Sequence, residues 1–326
     1  MHPGFPIAAV FLGCCSNVVV LEYLVREFPG SGNIVTFSQF LFIALEGFIF
    51  HADFGRRKPV VPIRHYVVMV TIFFMVQVVN NLTYGFHVSV PLHMIFRSGS
   101  LIANLFLGVL ILKKSYKLSK YLSVIMITIG IAICTIASAK KVKSEHLDDG
   151  SDGMYDLFIW IIGISGLTFA LLMSARMGIY QETIYARFGK HPKEALFYNH
   201  ALPLPAFLLL GKDIYNHAVL FTGSEPIDVP YLPAIPRMWF FLALNVLTQY
   251  ICIRAVFILT TECQSLTVTL VVTLRKFTSL LFSIMYFKNP FTVYHWVGTV
   301  LVFTGTMLFV DIYNILKSLL GKTKAE

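Results

Sequence analysis

The sequence predicts an all-α integral membrane protein that crosses the bilayer ten times. Two observations lead to this prediction. Hydrophobic residues make up 56% of the 326 positions and charged residues only 13%, and the apolar residues form long, continuous runs. A soluble domain carries about 25% charged residues because its surface faces water. A helix crosses the ~30 Å hydrocarbon core in about 20 apolar residues, whereas barrel strands are shorter and alternate in polarity. The runs are therefore predicted to be helices, which satisfy their backbone groups without water.

The predicted spans follow one another along the chain, separated mostly by short polar loops. They are 4–25, 33–52, 66–86, 89–112, 119–139, 155–177, 194–211, 237–258, 262–287 and 291–315. The first span is too long for a signal-peptide core and has no basic segment before it, so it is predicted to remain in the membrane. The seventh is short and contains Pro203 and Pro205, which lack a backbone donor and should kink it. The stretch 211–236 holds too many breakers and polar residues to span, and is predicted to be a loop.

The basic residues indicate the orientation of the chain. The net charge is +9, which in a soluble protein suggests nucleic-acid binding. Here the basic residues lie mostly in short loops, so membrane topology explains them and no nucleic-acid partner is expected. The loops on the side of the N-terminus hold 15 of the 26 Lys and Arg residues, and the opposite loops hold 7. Because cytosolic loops are enriched in Lys and Arg, both termini are predicted to be cytosolic.

Spans three to five resemble spans eight to ten at an offset of 175 residues. The matched pairs are Lys113 with Lys288, Tyr121 with Trp296, and Gly130 with Gly305. A five-span unit repeated once must be inverted in the membrane, because five is odd. Inverted repeats are common in transporters, with the substrate site near the midplane. The predicted organisation is a first repeat (1–139), a connecting loop (140–154), a second repeat (155–315) and a cytosolic tail (316–326).

The five cysteines lie in or beside apolar runs. Their spacing does not match a zinc site and their number is odd, so they are predicted to be packing residues rather than ligands or disulfides. They are Cys14, Cys15, Cys134, Cys252 and Cys263. No metal and no cofactor is predicted.

Polar residues inside the spans carry the functional information. A charged side chain at the centre of a membrane helix costs about 2.5–3.5 kcal/mol, so it should face a cavity or a partner. Span four carries a single polar face and span nine a similar one. Together with amide-rich stripes on spans three and eight, they predict a central polar cavity. The four stripes contain His93, Arg97, Ser100 and Asn104; Ser265, Thr269, Thr273, Lys276, Ser279 and Ser283; Gln77, Asn80, Asn81 and Tyr84; and Asn245, Thr248 and Gln249.

Three cations lie in this predicted cavity: Arg97, Arg275 and Lys276. Phosphate suits such a set, because Arg offers a fork that matches phosphate oxygens and Lys adds a point charge. The alternative is that the cations pair with acidic residues near span ends. The candidates for such pairing are Glu22, Glu46, Glu262 and Asp311.

The seventh span begins with the motif Phe197–His200, which reads Phe-Tyr-Asn-His. Tyr198, Asn199 and His200 can stack on a nucleobase and hydrogen-bond to its edge. The alternative is that these residues anchor the helix at the membrane interface, where aromatic side chains are enriched. The motif alone does not separate the two readings.

Three passages resemble nucleotide-sugar transporters of the drug/metabolite transporter superfamily, and the likeness extends over nearly the whole chain. Phe197–His200 is similar to the Phe-Tyr-Asn-Asn motif that reads the base in GDP-mannose carriers, but it ends in His200. Leu274–Ser279 is similar to the Arg/Lys element of span nine that holds phosphates. The Gly-Ala-Leu-Asn-Lys motif of GDP-mannose carriers is absent there, apart from its basic position. Val78–Tyr84 with Phe96–Ser100 resembles spans three and four of UDP-sugar carriers.

The resemblance looks closest to the UDP-N-acetylglucosamine/UDP-xylose transporters of the endoplasmic reticulum and Golgi. It implies an antiporter that carries a cytosolic UDP-sugar into the lumen in exchange for UMP by alternating access. Lys276, Arg275 and Arg97 are then expected to bind phosphate, and Phe197–His200 to read uracil. The expected cavity-lining residues are Asn17, Asn80, Asn81, Tyr84, Gln77, Ser100, Asn245, Gln249, Thr273 and Ser279. No bond is broken in transport, so no catalytic residue is expected.

Two other function classes stay open at this stage. A carrier of another phosphorylated metabolite on the same fold, such as a triose phosphate or an adenine nucleotide, would need a similar basic cavity. A membrane enzyme would need an acid/base pair or a metal cluster, and a seven-span receptor would not need the repeat.

The tail residues Lys322 and Lys324 resemble a dilysine signal recognised by coat proteins, or simply follow the positive-inside rule. Gly130, Gly298 and Gly305 permit close helix packing, either within one chain or in a homodimer.

Overall fold

A computed structural model of the chain describes most of its residues. The described ranges are 4–86, 88–111, 113, 115–145, 153–189, 191–227, 235–262, 265–289 and 291–311, with side chains described outside 140–145, 153, 260–262 and 265–270. Residues 146–152 of the predicted connecting loop lie outside these ranges. The predicted tail with Lys322 and Lys324 lies outside them as well.

The described chain is almost entirely helical. Its helices are α1 (Gly4–Glu27), α2 (Gly32–Phe50), α3 (Ile63–Thr83), α4 (Val90–Arg97), α5 (Ser100–Leu110), α6 (Leu118–Glu145), α7 (Gly153–Phe188), α8 (Pro192–Ala201), a 3₁₀ helix (Leu204–Leu210), α9 (Gly211–Thr222), α10 (Arg237–Glu262), α11 (Ser265–Tyr286) and α12 (Val293–Val310). Strands β1 (Pro226–Ile227) and β2 (Ile235–Pro236) form one antiparallel pair.

Eight helical stretches, in the part of the chain with described side chains, are long and apolar enough to cross a membrane. The prediction of a multi-pass helical membrane protein is therefore confirmed. α11 is not counted among these eight stretches, because the side chains of residues 265–270 lie outside the described part of the chain and the remainder of the helix is too short to qualify. The seventh predicted span is broken into α8 and the 3₁₀ helix, with Pro203 at the break. The number ten, the inverted repeat and the cytosolic termini stay predictions.

Span four departs from the continuous helix that the sequence predicts. It divides into α4 and α5 at Ser98 and Gly99. The backbone N–H groups of Ser98, Gly99 and Leu101 each bond to a carbonyl three residues earlier, which is the 3₁₀ pattern. Such an overwound turn inside a helix often marks a functional position.

The prediction that 211–236 is a loop is wrong for its first half, which forms α9. Ile214, Ala218 and Phe221 recur at helical spacing on one face of α9; Phe221 belongs to a buried cluster, and Ile214 and Ala218 pack against it. That cluster consists of Leu24, Ile34, Val35, Phe221, Met238 and Leu242. Asp213 lies in the first turn, where a negative charge is favourable. The polar residues that suggested a loop lie on a short amphipathic helix.

The chain divides into two compact units. Unit 1 comprises Met1–Val19, His87–Ile164 and Ile251–Glu326, and unit 2 comprises Val20–Phe86 and Ser165–Tyr250. Each unit thus draws on both predicted repeats.

Unit 1 contains a close helix pair, α6 with α12. A Cβ built on Gly130 would lie 2.5 Å from the Gly298 carbonyl oxygen, and one on Gly298 would lie 2.6 Å from the Gly130 carbonyl oxygen. A Cβ on Gly305 would lie 2.9 Å from the Ser123 carbonyl oxygen. These glycines therefore serve packing within the chain, and they give no support to a dimer interface.

The cysteine prediction is wrong at one pair, because Cys14 on α1 forms a disulfide with Cys252 on α10. Gly13 lets the helices meet, since a Cβ there would lie 3.0 Å from the Cys252 backbone nitrogen. Their meeting brings together two cysteines 238 positions apart, which the spacing of the sequence cannot show. Cys15 and Cys134 are free.

Unit 2 is built around aromatic side chains. Phe40 stacks on Phe73 at 5.4 Å between ring centroids and meets Phe207 edge-on at 5.6 Å. Both ring contacts bring α2 together with other elements of the unit, since Phe73 lies on α3 and Phe207 in the 3₁₀ helix. α8 packs against α2 and α3. This core fixes the position of the Phe197–His200 motif.

Candidate functional site

The three predicted phosphate-binding residues come together in unit 1. Arg97 ends α4, Arg275 and Lys276 lie midway along α11, and α4 packs against α11. The charges of Arg97 and Arg275 act on Lys276, and that of Arg97 also acts on Arg275, so the three cations repel one another. An anion placed among them would relieve this repulsion.

None of these cations forms an ion pair with a carboxylate among the side chains that the structure describes. Two of the acids that might have paired with them are engaged elsewhere. Glu22 Oε1 lies 3.5 Å from Arg26 Nε. Glu46 Oε1 accepts a hydrogen bond from the Tyr250 hydroxyl at 3.0 Å. The Glu262 side chain is outside the description. Internal pairing therefore finds no support in the described residues, and anion binding is favoured.

Arg275 is held against α1. Cys15 Sγ lies 3.9 Å from the Arg275 carbonyl oxygen, and Ser279 Oγ donates to Cys15 Sγ at 3.3 Å. The Arg275 Nε is buried and has no hydrogen-bond partner among the described residues. A buried donor without a partner costs about 1–3 kcal/mol. A bound anion can supply that missing acceptor.

A cavity of about 280 Å³ opens beside Lys276 in unit 1. Residues of α5, α11 and α12, together with the overwound turn before α5, form its walls. They are Ser98, Ser100, Leu101, Val272, Thr273, Lys276, Phe303, Thr306 and Val310. Ser100 and Thr273, both predicted to line the substrate cavity, are among these residues, and their role in substrate binding stays a prediction. Asn17 and Ser279 are also in unit 1 and are buried, with 7% and 2% of their surface exposed.

The Phe197–His200 motif lies on α8 in unit 2. Tyr198 stacks on Tyr66 with ring centroids 4.9 Å apart, and Phe197 meets Tyr198 edge-on at 4.9 Å. Gly47 makes room for Phe197, since a Cβ there would lie 2.7 Å from its ring. Asn199 has a buried Oδ1 that no described residue reaches with a hydrogen bond. Its capacity to accept a hydrogen bond is therefore unused among the described residues.

His200 is more enclosed by other side chains than is expected of a residue that contacts a nucleobase. Its ring meets Phe40 edge-on at 4.7 Å and Phe73 at 5.9 Å. Its Nδ1 lies 2.7 Å from the Leu196 carbonyl oxygen. Because a carbonyl only accepts, Nδ1 carries the proton and donates.

Sequence reasoning missed Glu194, the buried carboxylate in the first turn of α8. Its two oxygens accept from the backbone N–H groups of Val60 and Val61 at 2.9 and 3.0 Å, and from the Tyr66 hydroxyl at 3.0 Å. It is 6% exposed. Buried carboxylates are rare unless paired or hydrogen-bonded. The only sequence signal was an acidic residue in a segment otherwise rich in Lys and Arg.

The remaining predicted lining residues lie in unit 2, and some are engaged in structural hydrogen bonds. Asn81 donates to Thr36 at 2.8 Å, and Gln39 donates to Asn245 at 2.6 Å. Asn245 has no exposed surface. The other members, Asn80, Tyr84, Gln77 and Gln249, are buried or half-buried. Their lining roles stay predictions.

A multi-pass helical protein that keeps three cations among apolar helices, without an ion pair among its described side chains, belongs to the class of membrane carriers for anionic solutes. The chain belongs to the UAA transporter family, which it matches over residues 2–313. It is 63% identical to the "UDP-xylose and UDP-N-acetylglucosamine transporter" of Danio rerio, over 96% of this chain and 95% of the relative. It is 60% identical to the human "Nucleotide sugar transporter SLC35B4", over 100% and 98% of the two chains.

A third relative carries a different name. The "Endoplasmic reticulum GDP-fucose transporter" of Drosophila melanogaster is 55% identical, over 94% of this chain and 89% of the relative. The family and the relatives are transporters, so the enzyme and receptor alternatives are set aside.

Proposed function

We propose that this protein carries UDP-N-acetylglucosamine and/or UDP-xylose from the cytosol into the lumen of the endoplasmic reticulum or Golgi, in exchange for UMP. The proposal rests chiefly on the cluster of Arg97, Arg275 and Lys276, which has no acidic partner among the described residues. The name of the Danio relative supports the same two substrates, and that of the human relative supports a nucleotide sugar in general.

The cation cluster also supports the proposal that transport is an exchange. An empty site leaves three positive charges close together in surroundings of low dielectric constant, where their repulsion is strong. A UDP-sugar carries two negative charges on its diphosphate, and the phosphate of UMP carries about −1.5 to −2 at pH 7. When one replaces the other, the net charge at the site changes little. When the carrier returns empty, the three positive charges are left without a counter-charge. Alternating access with an occupied site is therefore the favoured cycle.

Phe197–His200 is the proposed base-reading element. Tyr198 offers an aromatic face, and the Asn199 Oδ1 offers an acceptor that suits an N–H donor on a base edge. Uracil carries one such donor, at N3. The stack on Tyr66 holds the Tyr198 ring in place.

A guanine nucleotide sugar is the second candidate substrate, because the Drosophila relative is named a GDP-fucose transporter. Guanine carries N–H donors at N1 and N2 and can also satisfy Asn199. The broader alternative, a triose phosphate or an adenine nucleotide, shares the phosphate cluster. A triose phosphate has no base for the Phe197–His200 motif, so the motif favours a nucleotide.

The deciding experiment is uptake into proteoliposomes that contain the purified protein. Vesicles preloaded with UMP, GMP, AMP or buffer are offered radiolabelled UDP-xylose, UDP-N-acetylglucosamine, GDP-fucose and triose phosphate. The proposal expects UMP-stimulated uptake of one or both UDP-sugars. GMP-stimulated uptake of GDP-fucose alone would replace it with the second candidate, and uptake that ignores the preloaded nucleotide would disprove exchange.

A location in the Golgi or endoplasmic reticulum forms part of the proposal, and the name of the Drosophila relative supports the endoplasmic reticulum. Coat-protein recognition of Lys322 and Lys324, and assembly as a homodimer, remain proposals from the sequence alone. Fluorescence microscopy of the full chain and of a Lys322→Ser/Lys324→Ser variant tests the first. Size-exclusion chromatography with light scattering tests the second.

A further inference from the structure

The cavity beside Lys276 presents several hydroxyl groups, which a phosphate site alone does not require. Ser98, Ser100, Thr273 and Thr306 all line it, on three different chain segments. Ser98 caps the C-terminus of α4 in the overwound turn and is only 5% exposed. Neither Ser98 nor Thr306 was a predicted site residue.

Two of these hydroxyls are available to a ligand. In the part of the chain that the structure describes, no hydrogen bond engages the side chains of Ser98 and Ser100. Thr306 Oγ1 donates to the Val302 carbonyl at 2.7 Å, which leaves its oxygen free to accept. A buried hydroxyl without a partner is costly, so a polar ligand, or water in its absence, is expected to meet Ser98.

The rest of the wall is apolar. Leu101, Val272, Phe303 and Val310 complete the cavity. A pyranose ring combines hydroxyls that both donate and accept with a C–H face that packs on an aromatic ring. Donors at Ser98 and Ser100, an acceptor at Thr306 and the ring of Phe303 match that pattern.

The volume limits what can enter. A cavity of about 280 Å³ equals roughly nine water molecules at ~30 Å³ each. It is just below the ~300–1,000 Å³ of pockets that enclose a drug-sized ligand. A single phosphate leaves most of it empty, and a complete nucleotide sugar does not fit. A sugar with its attached phosphate is the part of a nucleotide sugar that suits the space.

We propose that this cavity binds the glycosyl phosphate end of the nucleotide sugar, with Lys276 on the phosphate and Ser98, Ser100 and Thr306 on the sugar hydroxyls. This inference rests on the proposed function and adds the determinants of sugar recognition. Lys276 serves every nucleotide, whereas the hydroxyls serve only ligands that carry a glycosyl group on the terminal phosphate. Sugar selectivity is thereby separated from phosphate affinity.

The test compares a UDP-sugar with UMP, which lacks the glycosyl group. Ser98→Ala and Thr306→Val are measured in proteoliposomes for the KM of UDP-xylose and UDP-N-acetylglucosamine, and for the inhibition constant of UMP. Each variant should raise the KM for a UDP-sugar about 2- to 10-fold, the effect of one hydrogen bond, and leave UMP inhibition unchanged. Thr304→Val is the matched control, because Thr304 is exposed on the same helix and does not line the cavity.

Equal losses for UDP-sugar and UMP, or no loss for either, overturn the inference while leaving the proposed function intact. A wild-type protein that carries no UDP-sugar defeats the proposed function itself. A Ser98→Cys variant gives a readout independent of transport rate. Its thiol should react with a methanethiosulfonate reagent, as read by peptide mass, and UDP-xylose should slow that reaction more than UMP does. Equal protection by both ligands contradicts the assignment.

Discussion

Lys113 and Lys288 adopt the same unusual backbone conformation, each with a φ of 49°. Lys113 lies in the turn before α6 and Lys288 in the turn before α12. They are also the pair that the sequence matches at an offset of 175 residues. A left-handed residue other than Gly is uncommon, so its recurrence at matched positions supports the predicted internal repeat.

A β-branched residue at either lysine should destabilise the protein. Because the left-handed region costs an L-residue about 1–2 kcal/mol and more when Cβ is branched, Lys113→Ile and Lys288→Ile should lower the Tm by similar amounts. Lys113→Gly should be tolerated. Thermal unfolding of the detergent-solubilised protein measures this, with Lys117→Ile as the control in the same loop. A fall for only one of the two variants would count against equivalent turns.

Gly298→Ala should destabilise the α6–α12 pair. The added methyl would lie 2.5 Å from Cys134 Sγ and 2.6 Å from the Gly130 carbonyl oxygen, so the helices must separate. Overpacking of this kind costs about 1–3 kcal/mol. Gly178→Ala is the matched control, because nothing lies within 4 Å of a Cβ built there. It should raise the Tm slightly, since Ala favours a helix by about 0.5–1 kcal/mol over Gly. An unchanged Tm for Gly298→Ala would refute the close approach.

The sequence predicted the features that lipid enforces and missed those that depend on tertiary contacts. Arg97, Arg275 and Lys276 stood out because charges are costly inside apolar spans. α9 was missed because the helix is amphipathic and too short to cross a membrane.

Other misses have the same cause. The disulfide of Cys14 with Cys252 depends on two distant helices meeting. Burial of Glu194 depends on the loop that donates the N–H groups of Val60 and Val61. Neither arrangement leaves a periodic pattern in the sequence.

Lys276→Ala should strongly reduce exchange of every nucleotide sugar while leaving membrane insertion intact. Loss of a charge-assisted hydrogen bond costs about 1.5–3 kcal/mol. This corresponds to a fall of roughly 10- to 150-fold in the ratio of the maximal transport rate to KM. Uptake into proteoliposomes measures it, with the amount of inserted protein determined in parallel. Lys117→Ala, at an exposed loop lysine, should behave like the wild type. Normal uptake by an inserted Lys276→Ala variant would exclude Lys276 from phosphate binding.

Glu194→Ala should be more harmful than Tyr66→Phe. The first change leaves the N–H groups of Val60 and Val61 and the Tyr66 hydroxyl without their acceptor, at about 1–3 kcal/mol for each buried group. The second removes one hydrogen bond and keeps the stack on Tyr198. We therefore expect a large fall in Tm for Glu194→Ala, and a small fall with unchanged base selectivity for Tyr66→Phe. Tyr215→Phe, at a residue that is 69% exposed, controls for the loss of a phenol hydroxyl. A shift of base selectivity in Tyr66→Phe would mean that its hydroxyl, and not only its ring, acts on the substrate.

His200→Asn should weaken UDP-sugar transport and relax the choice of base. The imidazole fills the space beside Phe40 and Phe73 and donates from Nδ1 to the Leu196 carbonyl. Asn is smaller and has a different arrangement of donor and acceptor atoms, so the packing beside Phe40 and Phe73 and the Nδ1–Leu196 hydrogen bond are both altered next to Tyr198 and Asn199. The measurement is competition of labelled UDP-xylose uptake by UMP, GMP and AMP at matched concentrations. If GMP gains inhibitory strength relative to UMP, then His200 takes part in reading the base. If all three keep their order while the Tm falls, its enclosure by phenylalanines is structural, and base reading rests on Tyr198 and Asn199.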